Sequence, residues 1–265
     1  MTRDLLPPEL WDRIKGMLPT PKSPGPKGGR RPAPDRNALQ GITYVLRTGI
    51  AWKYLPAEFG CSGMTCWRRL RDWQAAGIWQ QLQVLLLGEL RAADKIDWNL
   101  AVVDSSNVRA LGGGEDTGPN PTDRGKPGSK HHILIDANGI PLAEEVTAAN
   151  VNDVMELVPL VVAIPPVAGK PGRPKTRPRA LQGDRGYDSE PARRILRWLG
   201  IKPLLARRRT EHGSRLGVTR WPVERTISWF HNFGRLRIRK DRRTDIHKAF
   251  MTLAASLICL TFVVS

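Results

Sequence analysis

Two apolar runs that each end in an aspartate constrain the fold of this chain more than any other feature. Residues 98–104 end in Asp104, and residues 180–184 end in Asp184. Short apolar runs that end in turn residues, such as those at 185–187, are typical of buried strands. The sequence therefore predicts two buried strands, each with a carboxylate at its end.

A third acid, Glu224, lies in a segment with helical periodicity. Val223, Ile227 and Phe230 recur at helical spacing, and Pro222 suits the first turn of a helix. Two strand ends and one helix can bring three carboxylates to one point. Because the chain has 25 acidic residues, three chosen by eye can also be unrelated charges. Their order, strand, strand and helix, favours a shared site.

Three clustered carboxylates raise one another's pKa unless a hard divalent cation neutralises them. Asp104, Asp184 and Glu224 are therefore predicted catalytic residues that bind Mg²⁺, with Mn²⁺ as a substitute. Two such ions roughly 3.5–4 Å apart can activate a water or a sugar hydroxyl for in-line attack at phosphorus. The predicted chemistry is metal-assisted phosphoryl transfer.

The charge balance points to a polyanionic partner. The chain has 42 basic and 25 acidic residues and a formal net charge of +17. A basic but merely solvated surface is the alternative explanation. No basic amphipathic stretch accompanies the charge, so nucleic acid is favoured over a membrane surface.

Three segments carry a resemblance to a known family: residues 102–110 (VVDSSNVRA), 183–188 (GDRGYD) and 220–226 (RWPVERT). Together they resemble the DDE transposases of bacterial insertion sequences, specifically the insertion-sequence-five family. The similarity covers nearly the whole chain in order. It implies an α/β fold in which a ribonuclease-H-like mixed-sheet catalytic domain, residues 98–265, is preceded by a helical DNA-binding domain, residues 1–97.

The resemblance also implies a function. Such a DNA transposase binds the terminal inverted repeats of its element, cleaves the ends to expose 3′-hydroxyls, and joins them to target DNA. It implies that Asp104, Asp184 and Glu224 hold the metal ions and that a homodimer holds two DNA ends. A metal-dependent nuclease of the same fold and a domesticated, non-catalytic DNA-binding protein are the alternatives.

Residues 62–73 resemble the second helix of a helix-turn-helix, in which Trp67, Leu70 and Trp73 are predicted core residues. The family signature has a tyrosine and a lysine where this chain has Gly217 and His231. Basic residues farther along are therefore predicted to grip the terminal phosphate. The predicted DNA-binding side chains are Arg68, Arg69, Arg71, Lys126, Lys130, Arg220, Arg235, Arg237, Arg239 and Lys240.

Other features predict the cellular setting. The three cysteines form no paired framework, which indicates a reducing cytoplasm. The start of the chain lacks the apolar core of a signal peptide, and residues 251–265 are predicted to form a core helix. The sequence thus predicts a cytoplasmic protein that binds double-stranded DNA and no membrane.

Three local expectations concern caps and burial. Asp35 and Asp188 are predicted helix N-caps, because each precedes a helical pattern. His131 and His132 alternate along a strand, so one is expected to face the core and the other solvent.

Overall fold

The computed structural model describes residues 6–20, 32–209 and 216–265, with side chains of the last range described from residue 221 onward. The helices that precede the sheet are α1 (Pro8–Ile14), α2 (Asp35–Thr48), α3 (Gly63–Ala75) and α4 (Ile78–Ala92). Within and after the sheet come α5 (Asp153–Val162), α6 (Glu190–Trp198), α7 (Leu216–Asn232), α8 (Gly234–Arg237) and α9 (Thr244–Val264).

The first helices show how local chemistry sets helix starts. Ser62 caps α3, and its Oγ accepts a hydrogen bond from the Thr65 backbone N at 3.2 Å. The expected cap at Asp35 is wrong, because Pro34 occupies the cap position and makes no side-chain cap bond. Asp35 lies in the first turn of α2, where its carboxylate instead lies 3.2 Å from Nε of Arg69.

The strands of the sheet are β1 (Leu100–Ala110), β2 (Gly118–Pro119), β3 (Pro127–Asp136), β4 (Pro141–Ala148), β5 (Ala180–Gly183), β6 (Lys202–Leu205) and β7 (Ile238–Arg239). The main order is β4-β3-β1-β5-β6, with β2 added beside β3 and β7 beside β1. β3 pairs antiparallel with β1 and β4, whereas β1, β5 and β6 run parallel. This topology confirms the predicted ribonuclease-H-like mixed sheet.

Helices cover both faces of the sheet. Neighbouring residues of a strand point to opposite faces. On β1, the Ser105 hydroxyl bonds to Asp153 of α5, and the Ser106 hydroxyl bonds to His231 of α7. α5 therefore covers one face of β1 and α7 the other.

Coverage on both faces explains why the expectation for His131 and His132 is wrong. Both residues lie on β3 and both are fully buried. His131 Nε2 lies 2.8 Å from His247 Nε2 of α9, and His132 Nε2 lies 2.9 Å from the Thr147 hydroxyl on β4. Burial lowers the pKa of His131 to about 3 and that of His132 to about 4, and it lowers the pKa of His247 well below its usual value.

These buried histidines predict acid sensitivity. A histidine with a lowered pKa in the folded state is neutral there, whereas the unfolded chain takes up its proton below about pH 6.5. Stability is therefore lost as pH falls below 6.5, by about 1.4 kcal/mol per histidine for each pH unit. We expect His131 and His132 together to cost about 3 kcal/mol at pH 5.5, and the lowered pKa of His247 acts in the same direction. Urea unfolding at pH 7.5 and 5.5 measures this loss.

Buried carboxyl groups oppose part of this effect, because burial raises the pKa of Glu144 as well as that of Asp136. Burial raises the pKa of Asp136 to about 6, so protonation of this group favours the folded state as pH falls. Protonation of Asp136 adds about 1 kcal/mol to the free energy of unfolding at pH 5.5. The variant His132→Gln has one fewer titrating group, so its loss over the same interval should be about 1.4 kcal/mol smaller than that of the wild type. Equal losses in the two proteins would contradict the assignment.

The final helix joins the preceding helices to the sheet. α9 packs against α3, α4 and β4, and α8 packs against α2. A single hydrophobic core includes Leu46 of α2, Leu86 of α4, Val102 of β1 and Leu253 of α9. The division at residue 97 therefore stays a prediction from the sequence, because the two predicted domains share one core.

α9 is also apolar and long enough to cross a membrane by length and composition. Of its most apolar 18-residue window, 78% is buried inside the protein. Residues from Phe250 to Leu260 are buried without interruption. The helix is a core helix, as the sequence predicts for residues 251–265.

Candidate active site

The carboxyl ends of β1 and β5 bring Asp104 and Asp184 to the same edge of the sheet. The parallel register pairs Val102 with Gln182. Each aspartate lies two residues beyond its member of that pair, so both point to the same face. Asp104 and Asp184 are partly exposed, whereas Val103 and Gly183 beneath them are buried.

Backbone amides orient both carboxylates. Asp104 Oδ1 accepts a hydrogen bond from the Ser105 N at 2.8 Å. Asp184 caps a short 3₁₀ turn at residues 185–187, and its Oδ1 accepts a hydrogen bond from the Gly186 N at 2.8 Å. Charge-assisted bonds of this kind restrict the orientation of a carboxylate.

Gly183, the last residue of β5, is closely surrounded by side chains. A Cβ atom added to Gly183 would lie 3.1 Å from side-chain atoms of Val103, Tyr187 and Leu205. Glycine therefore allows the strand carrying Asp184 to approach the strand carrying Asp104.

A third carboxylate, Asp153, contacts the residue that follows Asp104 on β1. It begins α5 directly after the helix cap, Asn152, whose side chain accepts a hydrogen bond from the Val154 N at 3.4 Å. Asp153 Oδ1 accepts a hydrogen bond from the Ser105 hydroxyl at 2.7 Å and forms an ion pair with Lys130 Nζ at 2.9 Å. The N-cap of α5 is therefore Asn152, and Asp153 is the first residue of the helix.

Glu224 is not brought to the two aspartates. It is exposed on α7, and the next residue, Arg225, donates to the Asn138 carbonyl oxygen at 2.6 Å. That carbonyl belongs to the turn between β3 and β4. The last residue of β3, Asp136, pairs with Ala101 near the start of β1, whereas Asp104 lies three residues farther along β1 and thus away from the turn. Three strand residues span about 10 Å. In the described ranges, no three acidic, histidine or cysteine side chains form a group that could hold one metal ion. The role of Glu224 stays a prediction from the resemblance.

Three predicted DNA-binding side chains are buried. Lys130 donates to the Val151 carbonyl oxygen as well as to Asp153, Arg235 pairs with Asp241, and Arg239 is 1% exposed. Their charged groups pair within the protein, and contact of these three residues with DNA stays a prediction from the sequence.

The other predicted DNA-binding residues lie nearer the surface. Arg68, Lys126, Arg237 and Lys240 are exposed, whereas Arg69 and Arg71 are partly exposed and pair with Asp35 and Asp72. The side chain of Arg220 lies outside the described residues. Leu70 and Trp73 of α3 are buried and Trp67 is partly buried, which agrees with their predicted core role.

α3 is not joined to α2 by the short turn of a helix-turn-helix. α2 ends at Thr48 and α3 begins at Gly63. A helix-turn-helix connection has about 3–4 residues. The connection here instead contains two short 3₁₀ turns, Trp52–Tyr54 and Ala57–Phe59.

The donor chemistry of Asp104 and Asp184 suits a hard divalent cation. Mg²⁺ keeps several waters and is commonly bound by one or two carboxylates together with substrate phosphates. Two oriented carboxylates at one sheet edge meet that requirement. The described residues thus fit a Mg²⁺ ion held by Asp104 and Asp184.

Comparisons with known proteins identify the family of the chain. Residues 99–259 match the family model "Transposase DDE domain", and residues 6–83 match "Putative transposase of IS4/5 family". A Burkholderia cepacia protein named "Putative transposase for insertion sequence element IS402" is 64% identical over 143 residues, which are 54% of this chain and 68% of that protein.

Two further similarities were found. The Burkholderia cepacia "Insertion element IS402 uncharacterized 16.2 kDa protein" is 54% identical over 123 residues, 46% of this chain and 84% of that protein. The crystal structure of the catalytic domain of the Mos1 mariner transposase aligns with 70% of this chain and 91% of that chain, at 12% identity and a TM-score of 0.28.

The fold, the paired aspartates and the match over residues 99–259 define a metal-dependent DNA transposase with a DDE catalytic domain. Its relatives among the insertion-sequence proteins place it more narrowly. The chain belongs to the IS4/5 family of bacterial insertion-sequence transposases.

Proposed function

We propose that Asp104 and Asp184 bind Mg²⁺ at the carboxyl ends of β1 and β5 and that this site performs both end cleavage and strand transfer. The observation that carries the proposal is the parallel register, which places both carboxylates on one face at one edge of the sheet. Hydrogen bonds from Ser105 N and Gly186 N hold them there. When bound, the metal ion lowers the pKa of an attacking hydroxyl group and stabilises the leaving oxygen.

One site suffices for both steps, because water and a sugar hydroxyl are interchangeable nucleophiles at phosphorus. Asp104 and Asp184 would hold the metal ion with their fixed negative charge. Glu224 is the proposed third ligand. In the arrangement described above it lies nearer the β3–β4 turn, so its participation requires α7 to move relative to β1.

DNA is held by basic residues outside the site. Arg68, Lys126, Arg237 and Lys240 are exposed and can neutralise backbone phosphates. We propose that these contacts orient the element ends and that a homodimer holds two ends together. Because its substrate is DNA, the protein is proposed to act in the cytoplasm.

A joining assay tests the function. Purified protein is mixed with pre-cleaved DNA ends taken from the regions that flank its reading frame, supercoiled target plasmid, and Mg²⁺ or Mn²⁺. We expect labelled ends to become covalently joined to plasmid only when the metal is present. Metal-dependent nicking without joining would instead indicate the nuclease, and DNA binding without any chemistry would indicate the non-catalytic DNA-binding protein.

A further inference from the structure

Asp153 contacts the residue that orients Asp104. The Ser105 hydroxyl donates to Asp153 Oδ1 at 2.7 Å, while the Ser105 backbone N donates to Asp104 Oδ1 at 2.8 Å. Ser105 therefore links the two carboxylates, with its side chain on one and its backbone on the other.

Asp153 also lies against the residue that orients Asp184. A Cβ atom added to Gly186 would lie 3.3 Å from Asp153 Oδ2 and 2.9 Å from Asp184 Oδ1. The Gly186 N is the donor to Asp184 Oδ1. The two oxygens of Asp153 thus face both backbone segments that hold the predicted metal-binding aspartates.

Lys130 fixes Asp153 in this position. Its Nζ lies 2.9 Å from Asp153 Oδ1 and 2.7 Å from the Val151 carbonyl oxygen, and its side chain is 9% exposed. Two donors, Lys130 and Ser105, therefore share one carboxylate oxygen. This arrangement suits an anchor that is neutralised within the protein better than a ligand that faces substrate.

The buried phenol of Tyr187 is within range of the charges of all three carboxylates. Tyr187 is 1% exposed, and burial raises the pKa of its hydroxyl well above the usual value. The charges of Asp153, Asp104 and Asp184 raise it further, in that order. One buried side chain is thus near all three acids.

We propose that Asp153, held by Lys130, is a positioning residue that fixes Asp104 through Ser105 and Asp184 through Gly186. This inference rests on the proposed function, because it assumes that Asp104 and Asp184 bind the metal. It assigns Lys130 a role in the site in place of the predicted DNA contact.

Binding of Mn²⁺ tests the proposal without relying on activity. Electron paramagnetic resonance titration measures free Mn²⁺ for the wild type, Asp153→Ala, Asp153→Asn and Asp184→Asn. Loss of an outer partner typically weakens metal affinity by about 10–100-fold. We expect that loss for Asp153→Ala. The loss for Asp153→Asn should be smaller, because the amide oxygen still accepts from Ser105. Glu156→Gln, a half-buried acid one turn along α5, is the matched control and should bind Mn²⁺ like the wild type.

A double-mutant cycle tests the route. We expect the double variant Asp153→Ala with Ser105→Ala to weaken Mn²⁺ affinity by a factor smaller than the product of the factors for the two single variants. The reason is that Asp153 acts on Asp104 through the Ser105 hydroxyl. Fully multiplicative effects would overturn the proposed link. Unchanged Mn²⁺ affinity in Asp153→Ala, with only a lower melting temperature, would show a purely structural role.

The variant Asp184→Asn separates failure of this inference from failure of the proposed function. If Asp184→Asn weakens Mn²⁺ binding and Asp153→Ala does not, the positioning role is wrong and the metal site stands. If neither Asp184→Asn nor Asp153→Ala changes the binding seen for the wild type, the assignment of the metal site is itself wrong, and the positioning role is wrong with it.

Discussion

Replacement of Asp184 by asparagine should reduce strand transfer by on the order of 10³-fold or more. Asparagine keeps the size of the side chain and an oxygen that can accept from the Gly186 N, so the turn at residues 185–187 should survive. It removes one negative charge from the predicted metal site. Metal ions contribute several kcal/mol of transition-state stabilisation, and about 1.4 kcal/mol corresponds to tenfold in rate. The joining assay with labelled ends measures the loss.

The matched control is Glu190→Gln, six residues farther along the chain. Glu190 is an exposed acid whose carboxylate pairs with Arg197 at 3.0 Å. Exposed ion pairs contribute little to stability, so this variant should join ends at the wild-type rate. Wild-type joining by Asp184→Asn would remove Asp184 from the active site. Equal loss in both variants would show that charge in general, and not this carboxylate, is required.

The second large effect is expected on stability, from Arg235→Met. Arg235 donates to both carboxylate oxygens of Asp241, at 2.9 and 2.8 Å, and to the Ile50 carbonyl oxygen at 3.0 Å. The two paired side chains are only 5% and 7% exposed. Removing one partner leaves a buried charge, which costs about 3–5 kcal/mol. We expect the melting temperature to fall by roughly 6–20 °C, as measured by circular dichroism.

Arg237→Met is the control, and it also tests the predicted contact of Arg237 with DNA. Arg237 is exposed two residues away, so its loss should weaken DNA binding and reduce its salt dependence while leaving the melting temperature nearly unchanged. The double variant Arg235→Met with Asp241→Leu should regain much of the lost stability, because no charge is left unpaired. Unchanged stability in Arg235→Met, together with weaker DNA binding, would show that Arg235 contacts DNA, as the sequence predicts.

The positions of Asp104 and Asp184 could be predicted because strand pattern and turn residues act locally. Each acid follows a buried run, and parallel strands carry their carboxyl ends to the same edge. The placement of Glu224 could not be predicted in the same way. Helical spacing identifies the buried side of α7, but the level of that helix along β1 depends on contacts such as that of Thr226 with Gly139, which are distant in sequence.

Charge and capping patterns were less informative for particular residues. A net charge of +17 indicates a polyanionic partner, but it does not distinguish exposed Arg237 from Arg239, which donates to Asp241, Asp116 and Ser129 inside the protein. The prediction that Asp188 caps α6 is wrong by one residue. Ser189 is the cap, whereas Asp188 pairs with Arg193, because the long arginine side chain reaches back along the helix.

The position of α9 has a consequence for synthesis of the chain. α4 ends at Ala92 and packs against a helix that begins only at Thr244. While the chain emerges from the ribosome, α4 can pack against α1 and α3, but the part of it that packs against α9 has no partner until nearly all of the catalytic sheet has been made. Contacts between such distant segments slow folding and leave apolar surface open to aggregation. Expression of this protein should therefore benefit from slower translation at low temperature or from chaperones that bind nascent chains.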